Sequence, residues 1–288
     1  MRPERVISPS PADEGDSEPR KGIFKRIWAD IMEDDIMGQA AKVAFFAFLS
    51  FPPAILVLFG LTGFFASDAA AEWIAQQLQA ALPEAASAMI DDFVSQVVHE
   101  EAPGPLSIGI VIALWAASNV FMALGDGLNL AYGIKDRRSW VKRRLIAIGV
   151  LLSAAVLLLA GSALLLAGPY LAGAVNLWGI ANFAWLVLQW PLAFLLVVGA
   201  FFIVYYVLPN RDQSFSRAIL FKSATIAALG WILATTGFRL YVSNLASYSE
   251  TYGFLGAVIV FLLWLWVTGI VVLVGGELNS EWEAGQRA

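Results

Sequence analysis

The sequence predicts an all-α protein that crosses a membrane six times, and three observations carry that prediction. Apolar residues make up 59% of the 288-residue chain and charged residues only 14%, with a mean hydropathy of +0.71, whereas soluble domains carry about 25% charge. Six stretches are apolar over the ~20 residues that a helix needs to cross a hydrocarbon core: 43–66, 106–131, 145–168, 183–207, 218–242 and 254–277. Lys and Arg gather in alternate connections, with five in 20–42, none in 67–105, six in 132–144, none in 169–182 and two, Arg211 and Arg217, in 208–217. Because basic loops stay on the cytoplasmic side, this alternation predicts a multi-pass membrane protein with both termini in the cytoplasm.

Composition also narrows the chemistry. With no Cys a disulfide framework is excluded, and a single His, His99, leaves little scope for a His-based metal centre or general base. No GxxxxGK[ST] stretch is present, so the chain holds no nucleotide-binding loop of that kind.

Residues 1–21 mix Pro, Ser and acids with almost no large apolar side chains, which predicts a disordered cytoplasmic tail. The pattern of a cleaved secretory signal is missing there, because the first long apolar run begins only near Val43. In 22–41, Ile23, Ile27, Ile31 and Trp28 fall opposite Lys25, Arg26 and Asp30, which predicts an amphipathic helix on the inner membrane surface. The first span follows. Its Pro52 and Pro53 each remove a backbone donor, so a kink or break is expected there, turned toward the bundle or a wet cavity.

Loop 67–105 carries seven acids and neither Lys nor Arg. Its apolar residues recur at helical spacing on both sides of Pro83, which predicts two short helices forming an outer cap. In the second span Asn119, Met122, Asp126 and Asn129 fall within about 80° on a helix of 3.6 residues per turn, and this polar stripe should face inward. The stretch KDRRSWVKRR (135–144) then places six basic residues in ten positions between two spans. Flanked in this way it reads as an orientation signal, and no nucleic-acid partner is expected. In the fourth span Gln189-Trp190-Pro191 introduces a second candidate helix break at Pro191. Gly125, Gly127, Gly253, Gly256, Gly269, Gly275 and Gly276 predict close helix packing, and 280–288 reads as a cytoplasmic C-terminal tail.

The topology places Lys42, Asp126, Lys222 and Glu277 at similar depth near the cytoplasmic ends of their spans. Two acids and two bases there predict a charge-balanced polar cluster, joined by Asn119 and Asn129 on the face of Asp126.

Three blocks carry a family resemblance: AAKVAFFAFLSFPPAILVL (40–58), WAASNVFMALGDGLNLAYGIKDRRSWVKRRL (115–145) and YGFLGAVIVFLLWLWVTGIVVLVGGELN (252–279). On these the chain resembles the YihY/BrkB family of bacterial inner-membrane proteins, some of which carry an older ribonuclease BN label. The resemblance covers about residues 25–283. It implies six spans and an inner-membrane location, with no assigned catalytic residues. The ribonuclease label fits the residues poorly, since the one His lies in the outer loop, away from any cytoplasmic RNA. The expected activity is therefore not enzymatic: the chain moves, or helps to move, a solute or lipid-like molecule and needs no cofactor or metal. The alternative is a membrane scaffold or envelope-assembly protein. Expected partners are the lipid bilayer, an unidentified solute or lipid substrate, and a second copy or an envelope protein.

Overall fold

The computed structural model describes residues 32–65, 103–174, 180–211, 216–243 and 246–287. Among them it is all helical, with six long helices: α1 (Ile36–Phe65), α2 (Pro103–Ala131), α3 (Trp140–Ala174), α4 (Ile180–Val207), α5 (Arg217–Ser243) and α6 (Ala246–Arg287). Five, α2 to α6, hold stretches long and apolar enough to cross a membrane. The 1–21 tail, residues 22–31 of the 22–41 segment and residues 67–102 of the cap, with Pro83 and His99, lie outside the described residues.

Local chemistry sets the helix ends. Within 32–41 the chain does not run as one helix into the first span: Asp35 takes a left-handed backbone (φ 47°) and α1 starts after it. Its carboxylate accepts from the Gly38 amide at 3.2 Å, satisfying one of the orphan donors of the first turn. A Cβ on Gly38 would run into that carboxylate, so any other residue there would make the Asp35 side chain shift. At the end of α2, Gly133 has φ 60°, its amide bonds Leu130 O at 2.8 Å and the Ile134 amide bonds Asn129 O at 2.8 Å. This paired closure, with glycine left-handed just past the helix, stops α2 sharply. The chain then turns on Asp136, whose Oδ1 accepts from the Arg138 amide at 2.9 Å, and Ser139 caps α3 through the Lys142 amide at 3.4 Å.

Prolines do not end helices here. α1 continues through Pro52 and Pro53, and α4 through Pro191. Pro52 lies on the exposed surface and Ser50 is the residue turned inward, where its hydroxyl donates to Ala47 O at 2.8 Å. The inward face expected of the proline pair thus belongs to its neighbour.

Each helix packs on the next in sequence and α6 returns to α1, so the six close a ring; α2 also touches α6, making α1, α2 and α6 a mutually packed trio. Small residues permit that closeness. Gly269 lies against Ala40, with its built Cβ only 3.2 Å from the Ala40 Cα, and Gly276 and Gly127 interlock with Leu128 and Leu273. Where the competing neighbour is lipid, such packing rather than water exclusion holds helices together.

The buried apolar core is uneven. Ile36, Ala40, Leu124, Leu128, Tyr205, Leu208, Leu220, Ala224 and Leu273 are all buried, and all lie toward the end where 132–139 and 208–216 connect the helices. Further along, large apolar side chains such as Val156, Leu159, Phe183, Trp190 and Leu233 are exposed, as lipid-facing residues must be. At 42 residues and 1.5 Å per residue, α6 is about 63 Å long, roughly twice a hydrocarbon core. Its last turns therefore extend the bundle past the apolar zone, and 280–287 is a continuation of α6 rather than a separate tail.

Candidate functional site

Apart from Ser50 and Gln189, the polar residues that the described helices bury collect at this same basic end, in three groups. The first is a chain of alternating charge. Lys42 of α1 donates to Asp126 Oδ2 of α2 at 2.7 Å, and Arg143 of α3 pairs with Asp126 Oδ1. Arg143 Nε also approaches Asp136 Oδ2 at 3.3 Å, and Asp136 holds Arg138 through Nη2 at 2.8 Å and Nε at 3.0 Å. Arg138 in turn donates to Leu208 O at 2.5 Å, reaching the end of α4. Asn129 locks this arrangement: its Nδ2 donates to Asp136 at 3.3 Å and its Oδ1 accepts from the Asn210 amide at 2.7 Å. Burial raises the Asp136 carboxyl pKa, but the hydrogen bonds and charge of Arg138, with the charge of Arg143, outweigh it and hold the group below its ordinary value.

The second group centres on Arg211. Its Nη1 pairs with Glu283 Oε1 at 2.7 Å, both residues being buried, and its guanidinium lies 4.7 Å over the Tyr132 ring. Asn279 donates to the Tyr132 hydroxyl and to Glu283 Oε1 at 3.1 Å, and accepts from Ser223 Oγ at 2.9 Å. Tyr132, Ser223 and the Asn279–Glu283 turn thereby tie α2, α5 and α6. Desolvation, opposed by the charge of Arg211, lifts the Tyr132 hydroxyl to about 12, so it stays protonated. Deeper in, Tyr205 of α4 is fully buried and donates to Val272 O at 2.8 Å.

The third group surrounds Arg144 of α3. Its Nη1 donates to Ser118 Oγ at 2.5 Å, Asn119 Oδ1 at 2.9 Å and Trp115 O at 3.3 Å, and the Trp115 and Trp140 rings lie 4.2 and 5.3 Å from the guanidinium carbon.

Of the residues expected in one cluster, Lys42 and Asp126 meet directly. Asn129 joins them through Asp136 and Arg143, and Asn119 turns to Arg144. Lys222 instead stacks 4.2 Å over Trp282. Glu277, 2% exposed, acts on Tyr132 by charge and so sits with the second group. Tyr132, Arg144, Arg211, Asn279 and Glu283 escaped the sequence reading. One signal was available: Asn279 and Glu283 are four residues apart, on one face of a helix that outruns its apolar stretch. The groups offer ion pairing, amide recognition and cation–π contact. Among the described residues no group of three or more His, Cys, Asp or Glu side chains is placed to hold a metal.

A family model for the virulence factor BrkB matches residues 27–288. The chain belongs to the BrkB family. Similar relatives include the Bacillus subtilis (strain 168) ribonuclease-like protein YfkH, 29% identical over 265 residues that cover 90% of this chain and 94% of that one. Others are UPF0761 membrane proteins. That of Aeromonas salmonicida (strain A449) is 29% identical, covering 88% of this chain and 86% of the relative, and that of Vibrio campbellii (strain ATCC BAA-1116) is 27% identical, covering 90% and 81%. No solved structure matches. The relatives span the whole six-helix ring, so all three polar groups lie within the part of the chain that defines this BrkB-family membrane protein.

Proposed function

We propose that this BrkB-family protein is a multi-pass protein of the bacterial cytoplasmic membrane, with both termini and the 132–144 connection in the cytoplasm, that moves or helps to move a solute or lipid-like molecule across or within the bilayer. The observation that carries the reading is the uneven core. A ring of six helices is sealed by apolar and ionic packing at its basic end, while fewer than half of the residues in any of the five apolar windows are buried. Among the described residues the large buried apolar side chains thus gather at one end, and a path for a cargo would run through the remainder of the ring.

Gln189 supports the same reading. It is buried in α4, eighteen residues or about 27 Å from that helix's basic end, and its Oε1 has no hydrogen-bond partner among the described residues. An amide oxygen left so costs about 1–3 kcal/mol. Water or the polar part of a cargo would satisfy it.

The test is reconstitution of the full chain into vesicles carrying fluorescently tagged phospholipids or entrapped small solutes. Transfer of at least one class should be faster than in protein-free vesicles, and Gln189→Leu should slow it without lowering the amount of folded protein. No acceleration of any probe would leave the scaffold reading in its place.

A further inference from the structure

Arg144 differs from the other arginines at the basic end. Arg138, Arg143 and Arg211 each pair with a carboxylate, whereas Arg144, only 8% exposed, pairs with none among the described residues. Its three hydrogen bonds all leave from Nη1 and all go to neutral oxygens of α2. Nε is buried without a hydrogen-bond partner. The edge of the guanidinium formed by Nε and Nη2 is thus held in place and unused. That edge is the one that grips two oxygens of a phosphate in parallel.

The surroundings select the same ligand. Trp115 and Trp140 flank the charge, are both exposed on their outer sides, and are followed along α3 by the exposed Val141 and Leu145. Trp favours the headgroup level of a membrane, where one side of the ring is apolar and the other wet. On α2, Trp115 also ends the lipid-type surface begun by Val111 and Ile112; beyond it only Leu130 is a large exposed apolar residue. Arg144 therefore lies where the lipid-facing surface meets the polar end. It is also within the first turns of α3, whose positive dipole end favours an anion. Trp140, more than half exposed, lies against the guanidinium, and a ligand reaching the buried Nε would have to displace this side chain.

We propose that Arg144, clasped by Trp115 and Trp140, binds one phosphate group, supplied by the headgroup of an anionic phospholipid or by dissolved phosphate. The proposal stands whether or not the protein transports anything. Native mass spectrometry and thermal unfolding of the full chain would be measured with phosphatidylglycerol, with phosphatidylcholine and with inorganic phosphate. Phosphatidylglycerol should bind at least about tenfold more tightly than phosphatidylcholine if the site is a lipid site, the factor expected from one charge-assisted contact. Stabilisation by inorganic phosphate alone would assign it to the dissolved ion.

In either case Arg144→Lys, which keeps the charge but lacks the two-pronged edge, should lose about tenfold. Arg137→Gln, which removes an exposed cation of the same connection, should change binding less than about twofold, as expected for a screened surface charge. Equal losses in the two variants would reduce the effect to diffuse attraction and overturn the proposal. So would a wild-type protein that distinguishes none of the three ligands, since the two indole faces alone would then compensate Arg144. Because both readings need only the wild-type chain, a poorly folding variant does not block the test.

Discussion

Arg211 and Glu283 form the most buried ion pair at the basic end, and burial makes the pair sensitive to loss of one partner. Removing one member leaves a desolvated charge, at a cost of about 3–5 kcal/mol, while replacing both with apolar residues costs far less. Glu283→Gln should therefore lower the unfolding temperature clearly, Arg211→Met should do the same, and the double variant Arg211→Met/Glu283→Leu should recover part of the loss; additive losses would show that the two act separately. Asp126 behaves differently, since it has two cationic partners. Lys42→Met leaves Arg143 in place and should be tolerated, whereas Asp126→Asn strands Lys42, leaves Arg143 with Asp136 alone and should lower activity in a complementation assay. Asp136, held below its ordinary value of 3.8, contributes stability that is present above that value and fades as pH falls through its lowered pKa. Asp136→Asn should flatten the acid limb of stability against pH. Depth and face put Lys42, Asn119, Asp126, Asn129, Lys222 and Glu277 in one cluster; Lys42 and Asp126 meet and Asn129 joins them through Asp136 and Arg143, while the other three lie with different partners. The sequence did not locate Arg144 or Arg211, because a basic residue in a connection reads as solvated until the fold returns a partner from far along the chain.

At the level of helices, the six apolar runs predict six long helices, and five of these, α2 to α6, hold stretches apolar enough to cross a membrane, because length and hydropathy are local properties. The caps show what was not local. Asp35 looks like one more acid in MEDDIM, yet its left-handed backbone and carboxylate separate α1 from what precedes it. Each proline removes a hydrogen bond, which predicts a kink or a break; the helices run through all three without a break. Replacing Pro52 and Pro53 together by Ala should restore local bonds and leave folded yield unchanged, and a fall in complementation would give the altered helix geometry a functional role. The glycines make a stronger prediction. A Cβ at Gly275 would strike the Tyr205 hydroxyl and lie 2.7 Å from the Ala227 Cβ, so Gly275→Ala must push α4, α5 and α6 apart. Overpacking of this kind costs about 1–3 kcal/mol. Gly237→Ala meets nothing nearby and is the control that should be neutral or slightly stabilising.

For the whole molecule, the helix ring fixes which ends lie together but leaves open which side of the membrane they face. The start of α1, the 132–139 and 208–216 connections and the end of α6 share one end, joined by Lys42 to Asp126, Asn129 to Asn210 and Arg211 to Glu283. That end also carries Lys135, Arg137, Arg138, Lys142, Arg143 and Arg144, whereas 67–105 has no Lys or Arg and seven acids. Basic residues near span ends resist translocation, and acids contribute little to orientation. The cytoplasm is therefore expected at the basic end, with the projecting last turns of α6. The opposite orientation would require six cations of one connection to cross the bilayer. Fusions of a phosphatase active only outside the cytoplasm decide the matter: activity is expected after residue 90 and none after residue 140 or at the C-terminus. The reverse pattern would invert the molecule and, with it, the leaflet in which Arg144 meets its phosphate.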